Sequence, residues 1–339
     1  MKSLFKLFMI LSILMLNVSP QVFAFQEGKI SETFENVKQV RIKTVSGDCI
    51  VKKGKANVLK VELTYTYDEY DYQPELEQRG DRLELIERFR GRSNRGRSTW
   101  RLTVPDNTNL DFSTASGDFE AADLTCVLEA ETASGNLSLR NLNGEFRGST
   151  ASGDIDARNL NGDIRFSTAS GDVELTKFSG TLEIGTASGR ITAEEIEGEI
   201  EFGTASGRIL VTNASGEFDV GTASGDIDAR GIDIKDRSEF SAASGDVEVI
   251  LTKSPQFDLK LSSASGDAVL NFNKNPIKGF IKMTAKTRRG DIRAPFEFDN
   301  EEVYYKWDDE YVTKTATKGS DRPKIEISTS SGRAELLED

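Results

Sequence analysis

The residue that directly follows Ser-Gly in each of a series of repeats could bind a metal ion. These residues, which we call the outward file, are Asp118, Asn136, Asp154, Asp172, Arg190, Arg208, Asp226, Asp246 and Asp267. Carboxylates stacked about 4.8 Å apart on parallel strands could hold calcium. Calcium-binding β-rolls, however, use a denser Gly-Gly-x-Gly-x-Asp pattern, and two arginines interrupt this file. The pattern therefore favours structural turn chemistry, with calcium as the alternative and no other cofactor expected.

Two clusters that could bind a partner lie outside the repeats. One is an arginine-rich hairpin that contains Arg92, Arg95 and Arg97, and the other contains Tyr304, Tyr305 and Trp307. Arginine and aromatic side chains in a distinct patch are typical of binding hot spots. The alternatives are a solvated hairpin that balances nearby acidic residues and aromatic packing on the body of the protein. A further aromatic group, Tyr65 to Tyr72, allows the same two interpretations.

Two files of hydroxyl side chains also recur, from Thr132 to Thr222 and from Ser134 to Ser224. Regular hydroxyl ladders on flat solenoid faces can bind ice or glycans. More often, Ser and Thr at a corner form hydrogen bonds with neighbouring backbone groups. We therefore predict a structural role for both files.

The elements that position these residues follow from an eighteen-residue repeat of Thr-Ala-Ser-Gly-Asp, with a second glycine midway in most coils. After each glycine, apolar and polar residues alternate, which predicts short strands with one buried face. Such a period indicates stacked units. The predicted fold is an all-β, right-handed parallel β-helix of eighteen-residue coils, each with two nine-residue strand-turn units. Structural glycines with positive φ are predicted at the corners: Gly117, Gly135, Gly153, Gly171, Gly189, Gly207 and Gly225.

Two files of apolar residues are predicted to point inward and form the core. The first is Ile155, Val173, Ile191, Ile209, Ile227 and Val247, and the second is Phe146, Ile164, Leu182, Ile200 and Phe218. Cys49 occupies a core position of the repeat, and Cys126 replaces a mid-coil glycine. Because a disulfide needs close and aligned Cβ atoms, we expect two free thiols.

The chain divides into four regions. Residues 1–24 are predicted to be a signal peptide, 25–112 an N-terminal β cap, 113–270 the regular coils, and 271–339 irregular coils with an inserted loop and a last coil. We expect an exported protein, periplasmic or at the cell surface, with no transmembrane segment in the mature chain. A formal charge of −13 disfavours nucleic acid as a partner. Capped ends predict a monomer.

Several of these phrases resemble a bacterial family of unknown function that carries the name putative adhesin and is related to the head-domain β-helix proteins of cell envelopes. The resemblance is carried by Leu102-Thr103-Val104-Pro105, by the serial Ser-Gly-Asp-Ile/Val phrases, and by the closing Ser-Ser-Gly coil. It covers nearly the whole mature chain. It implies an exported β-solenoid and supplies no catalytic residues.

These observations predict a non-catalytic interaction module of the cell envelope or surface, with an envelope protein or a glycan as its partner. The chain contains no histidine, which removes the commonest general base and the usual zinc ligand. One alternative is a polysaccharide-active β-helix enzyme, which would need a carboxylate pair or an Asp-Arg-Lys cluster in a groove. The other is a calcium- or ice-binding solenoid.

Overall fold

The computed structural model describes residues 27–90, 96–306 and 309–339. Within these ranges every regular element is a strand and there is no helix, which confirms the all-β prediction. The predicted signal peptide lies outside the described residues.

Eight strands precede the regular coils and combine parallel with antiparallel pairing. They are β1 (Gly28–Glu35), β2 (Gln39–Lys43), β3 (Asp48–Lys53), β4 (Val58–Tyr65), β5 (Tyr72–Arg79), β6 (Arg82–Phe89), β7 (Ser98–Val104) and β8 (Asn109–Thr114). β2 lies between β6 and β8, and all three are parallel. β5 pairs antiparallel with β6, and β4 pairs antiparallel with both β1 and β7. The outermost parallel strands at this end are therefore β6 and β7, and the antiparallel strands β5 and β4 cover them.

Each regular coil contains one strand of fourteen residues. The six strands are β9 (Phe119–Thr132), β10 (Leu137–Thr150), β11 (Ile155–Thr168), β12 (Val173–Thr186), β13 (Ile191–Thr204) and β14 (Ile209–Thr222). Neighbouring strands pair in parallel with a shift of eighteen residues, so that Leu137 faces Ile155, which faces Val173. This register confirms the predicted solenoid of eighteen-residue coils. Its right-handed sense stays a prediction.

The two short strands predicted for each coil are joined across a bend. The bend lies at a residue in the left-handed conformation, with φ of 54° at Asn141 and 55° at Asn159. Asn141 and Asn159 are not paired with each other, but the pairing of β10 with β11 resumes at the next residue and continues through Gly144 and Gly162. Asn tolerates this backbone conformation because its short side chain can form local hydrogen bonds. The chain thus turns at one residue and keeps its strand pairing on both sides.

Both predicted inward files are buried. Ile191 and Ile209 are 0% exposed, and Phe146 and Phe218 do not exceed 1%. Further buried rows complete the core, among them Leu142, Leu160, Phe178, Ile196, Ala214 and Ile232. Because apolar burial contributes about 25 cal/mol per Å², these rows are the main source of stability.

The corner glycines have a different role from the predicted one. None of the seven has a left-handed φ, so the predicted positive φ at Gly171 is wrong. A Cβ at Gly171 would instead lie 1.8 Å from the carbonyl oxygen of Gly153 in the preceding coil. The backbones of successive coils approach so closely at this corner that no side chain fits. Glycine is still required there, for reasons of space.

Among the described residues, eleven strands follow the regular coils. Most coils in this part of the chain contain two shorter strands in place of one long strand. The eleven strands are β15 (Ile227–Ile234), β16 (Ser238–Ala242), β17 (Val247–Leu251), β18 (Leu259–Ser263), β19 (Ala268–Asn271), β20 (Gly279–Lys286), β21 (Gly290–Arg293), β22 (Asn300–Lys306), β23 (Asp309–Lys318), β24 (Lys324–Thr329) and β25 (Gly332–Leu337). β22 and β23 form an antiparallel hairpin that we call the arm. The arm joins the body where β23 pairs antiparallel with β20.

The last coil of the chain enters the stack one coil inside its end. β24 lies between β18 and β20, and β25 lies between β19 and β21. The same arrangement occurs at the other end, where β2 lies between β6 and β8. An outermost coil with an unpaired edge would invite aggregation and fray. In one of the two rows of stacked strands, β6 and β20 are the outermost parallel strands. An antiparallel strand pairs with each of them, β5 with β6 and β23 with β20.

Candidate functional site

The outward file forms a ladder of hydrogen bonds between side chain and backbone. The Asp172 N–H donates to Asp154 Oδ1 at 2.8 Å, and the Arg190 N–H donates to Asp172 Oδ1 at 2.7 Å. Equivalent bonds link Asp48 to Asp118, Asp118 to Asn136, Asn136 to Asp154, Asp226 to Asp246, Asp246 to Asp267, and Asp267 to Arg333. One oxygen of each acidic or amide side chain is therefore occupied by the next coil.

The two arginines of the outward file interrupt this ladder, since they offer no acceptor. Arg208 instead forms an ion pair with Asp226 at 3.1 Å. The Asp246 N–H, together with Arg208, lowers the pKa of the Asp226 carboxyl below its usual value. Among the described residues, no group of three or more Cys, Asp or Glu side chains is arranged to hold a metal ion. Structural turn chemistry stays the prediction for this file, with calcium binding as the alternative.

The threonine file is used in the same structural way. Thr168 Oγ1 accepts a hydrogen bond from the Gly171 N–H at 3.0 Å and donates one to the Gly153 carbonyl at 3.3 Å. Thr132, Thr150, Thr186, Thr204 and Thr222 each accept the corresponding glycine N–H at 2.9 Å. These side chains are nearly buried. Their hydroxyl groups close the corner and are not offered to a ligand.

The N-terminal aromatic group packs into the body of the protein. Tyr67 and Tyr72 are 3% and 2% exposed, whereas Tyr70 is 80% exposed. Tyr72 and Trp100 donate hydrogen bonds to Oε1 of the buried Glu87 carboxylate, at 2.9 and 3.1 Å. Ser98 donates to the same oxygen, and the Val45 N–H donates to the other at 2.9 Å. Burial, with the nearby Glu87, raises the pKa of Tyr72. Four donors satisfy Glu87, which makes it a structural anchor.

The arginine hairpin is only partly described. Arg92 and Arg95 lie outside the described residues. Arg97 is exposed, and its backbone pairs with that of Thr66. Arg88 forms an ion pair with Glu75 at 2.6 Å across β5 and β6, in agreement with the charge-balance interpretation. The described part of this hairpin brings no second candidate residue next to Arg97.

Both cysteines are free, as expected, and both are buried. Burial raises the pKa of both thiols, to about 12 for Cys126. A thiol that stays protonated is a poor nucleophile, so both cysteines serve the core.

The arm carries the second predicted cluster. The rings of Tyr304 and Tyr311 stack with centroids 5.5 Å apart and an interplanar angle of 16°. Tyr305 is 72% exposed, and its hydroxyl donates to Glu310 Oε2 at 2.6 Å. This hydrogen bond raises the pKa of Tyr305. Trp307 lies outside the described residues.

A groove of about 530 Å³ separates the arm from the corner of the last coils, and we call it the C-terminal groove. Tyr304, Tyr311 and Lys306 belong to its arm side. Its floor consists of small side chains: Thr222, Ser241, Ala242, Ala243, Ser262, Ser263, Ala264, Thr284, Ser328, Thr329 and Ser330. None of the described residues that line it is acidic.

Three floor residues were not predicted. Ser241, Ser262 and Ser328 face one another in adjacent strands, and no described residue forms a hydrogen bond with their Oγ atoms. The same position of the repeat is serine at Ser149 and Ser167 and glycine at Gly185, Gly203 and Gly221. This change from glycine to serine is visible in the sequence. Its meaning was hidden, because the sequence did not reveal that the arm rises beside these coils.

The regular coils contain a matching groove without an arm. It has a volume of about 640 Å³ and a similar floor of Ser, Thr and Ala, with Glu131 among its lining residues. No aromatic residue lines it among those described. We call it the coil groove, and it serves as an internal comparison.

Comparison with solved structures finds similar chains at low identity. A putative adhesin from Parabacteroides distasonis is 12% identical, with coverage of 93% of this chain and 98% of that chain and a TM-score of 0.33. A putative lipid binding protein from the same species is 13% identical, with coverage of 70% and 94% and a TM-score of 0.33. A putative cell adhesion protein from Clostridium sporogenes is 10% identical, with coverage of 92% and 99% and a TM-score of 0.21. Such low scores carry no conclusion about function.

No curated protein is detectably similar in sequence to this chain. Among the described residues, no helix is long and apolar enough to cross a membrane. Residues 37–278, well over half of the chain, match one family. This match and the parallel stack of eighteen-residue coils show that the protein belongs to the Toastrack DUF4097 family, whose function is unknown.

Proposed function

We propose that the protein is a non-catalytic, exported interaction module of the cell envelope or cell surface, and that it binds its partner with the arm and the C-terminal groove. The observation that carries this proposal is the position of Tyr304, Tyr311 and Lys306 beside a floor of unpaired serine hydroxyls. Binding sites are typically concave and combine aromatic rings with a few placed polar groups. Export is supported by the sequence of residues 1–24.

The repeated surface of the regular coils offers less to a specific partner. Its threonine hydroxyls and outward carboxylates already bind backbone groups of neighbouring coils. Every coil presents nearly the same corner, so a partner would find several equivalent sites and no unique one. Specific recognition instead uses anchor residues such as Tyr, Trp and Arg in a distinct patch.

The enzyme alternative receives little support from the C-terminal groove and from the cluster around Glu87. The C-terminal groove has no acidic residue among its described lining residues, so it lacks the carboxylate pair that glycoside hydrolysis uses. The buried Glu87 carboxylate is held by four donors and packs under the aromatic group.

A binding assay with isolated cell envelopes of the source organism tests this proposal. We expect Tyr304→Ala with Tyr311→Ala to reduce cosedimentation of the mature protein at least about tenfold, as for aromatic hot spots. Glu174→Ala and Asp228→Ala, on the regular face, are the matched controls and should bind as the unaltered protein does. If the control variants lose binding while the tyrosine variant keeps it, the coil face is the binding surface and the proposal is wrong.

A further inference from the structure

The floor of the C-terminal groove presents a row of hydroxyl groups at the spacing of the coils. Ser241 pairs with Ser262, Ser262 with Ser328, and Ser328 with Thr284, one residue from each successive strand. Adjacent strands lie about 4.8 Å apart, so the row runs along the stack. Thr284 is already tied to the arm through a 2.9 Å hydrogen bond with Thr313. The three serines remain available to a ligand.

A hydroxyl group can both donate and accept a hydrogen bond. A row of such groups therefore suits a ligand that offers donors and acceptors along its whole length. A peptide strand would instead need unpaired backbone groups, and the floor strands β16, β18 and β24 are paired on both sides. The floor thus favours a polyhydroxylated chain over an added strand.

The wall of the groove supplies the apolar contact. Tyr304 is 37% exposed, and its ring stacks on that of Tyr311, so the two together form one aromatic surface. Tyrosine combines an apolar ring with a polar tip. A pyranose ring has the complementary character, because its C–H groups form an apolar face while its hydroxyl groups point outward at the rim.

The charge of the groove and of the whole chain limits the class of ligand further. Lys306 is the one ionisable group other than tyrosine among the described lining residues, so the lining itself carries a single positive charge. The whole chain, by contrast, has a formal charge of −13, which repels dense polyanions. A neutral or sparsely anionic ligand meets both conditions.

We infer that the C-terminal groove binds an extended glycan, neutral or sparsely anionic, whose chain runs along the stack. Its sugar rings pack on Tyr304 and Tyr311, and its hydroxyl groups bind Ser241, Ser262 and Ser328. This inference rests on the proposed function, because it names the ligand class of the same groove. The coil groove has a similar floor but lacks the aromatic wall, and it does not bind the glycan.

Titration calorimetry of the mature protein with four defined probes tests this inference. The probes are chitohexaose, cellohexaose, xylohexaose and a hyaluronan octasaccharide. We expect saturable binding of at least one probe, reduced at least about tenfold by Tyr304→Ala with Tyr311→Ala. Ser262→Val should weaken it several-fold. Ser149→Val, the matched change in the floor of the coil groove, should leave it unchanged. Circular dichroism melting checks that each variant is folded.

The outcomes separate this inference from the proposed function. If no probe binds, and protease but not periodate treatment of the envelopes abolishes tyrosine-dependent binding, the partner is a protein. The glycan inference is then overturned while the proposed function stands. If envelope binding is independent of Tyr304 and Tyr311, the proposed function fails as well. A probe that binds equally to the Ser262→Val and Ser149→Val variants would also overturn the inference.

Discussion

The coil groove and the C-terminal groove begin from the same sequence phrase and end with different surfaces. In the coil groove, the position before the corner threonine is occupied by Ser113, Glu131, Ser149 and Ser167, and in the next coils it is glycine. In the last coils it becomes Ser241, Ser262 and Ser328, and the arm rises beside them. Only the second groove combines hydroxyl groups with aromatic rings among the described residues.

This difference shows how a solenoid separates support from recognition. Regular coils repeat because the backbone groups of each corner need hydrogen-bond partners. Thr168 and Asp172 both take part in these corner hydrogen bonds. The same corner bonds continue into the last coils, where Ser263 and Thr329 donate to the carbonyl oxygens of Gly245 and Gly266. What distinguishes the last coils is the arm. The long segment between β21 and β24 then has room to form the arm, because the last coil enters the stack behind it.

The largest expected effect concerns the corner glycines of the regular coils. Gly171→Val should destabilise the protein by more than about 2 kcal/mol, since its Cβ would meet the Gly153 carbonyl oxygen at 1.8 Å. Gly185→Val is the control, because a Cβ there meets no atom within 4 Å. Urea unfolding followed by circular dichroism measures both. Equal losses would show that the close approach of backbones is not what requires glycine.

A smaller loss is expected at the threonine file. Thr168→Val keeps the shape of the side chain but leaves the Gly171 N–H without its acceptor, at a cost of about 1–3 kcal/mol. Thr181→Val, at an exposed position of the next strand, β12, should change the free energy of unfolding very little. If both variants unfold at the same urea concentration as the unaltered protein, the threonine hydroxyls do not stabilise the corner.

The outward file should tolerate loss of charge better than loss of its acceptor. Asp172→Asn keeps an oxygen for the Arg190 N–H and should cost little, whereas Asp172→Ala should cost about 0.5–1.5 kcal/mol. The comparison uses the same unfolding assay. Equal losses for Asn and Ala would mean that the carboxylate charge matters more than the hydrogen bond.

Much of this architecture was predictable because its causes are local and repeated. Alternation in Ile155, Ala157 and their equivalents sets the buried face, and the eighteen-residue period sets the parallel register. The cause of the glycine requirement was not predictable, because the contact of Gly171 with Gly153 forms only when coils stack. The order of the end coils was hidden for a similar reason. The sequence around Ile325 contains no signal that β24 pairs with both β18 and β20.

The sequence predicted the aromatic side of the candidate site but not its serine floor. Tyr304 and Tyr305 stood out by residue type, whereas their neighbours Ser241, Ser262 and Ser328 belong to a repeat that elsewhere is structural. A distant pairing, of β20 with β23, brings the two halves together. Such a contact leaves no local signal in one sequence.

The smallest expected effect concerns calcium. The carboxylates of the outward file, such as those of Asp154 and Asp172, already accept a backbone hydrogen bond, and two arginines interrupt the file. Removal of divalent ions with a chelator should therefore leave the melting temperature nearly unchanged. Scanning calorimetry with and without millimolar calcium measures this. A rise of many degrees on addition of calcium would make the outward file a binding site.

Site-directed photo-crosslinking tests most directly whether recognition occurs at the arm rather than on the regular coils. p-Benzoylphenylalanine is placed at Tyr305, which is 72% exposed on the arm, or at Glu174 on the regular face. Each protein is then irradiated with isolated envelopes. The account predicts crosslinked envelope material from position 305 and only background from position 174. Equal or stronger crosslinking from position 174 would contradict it.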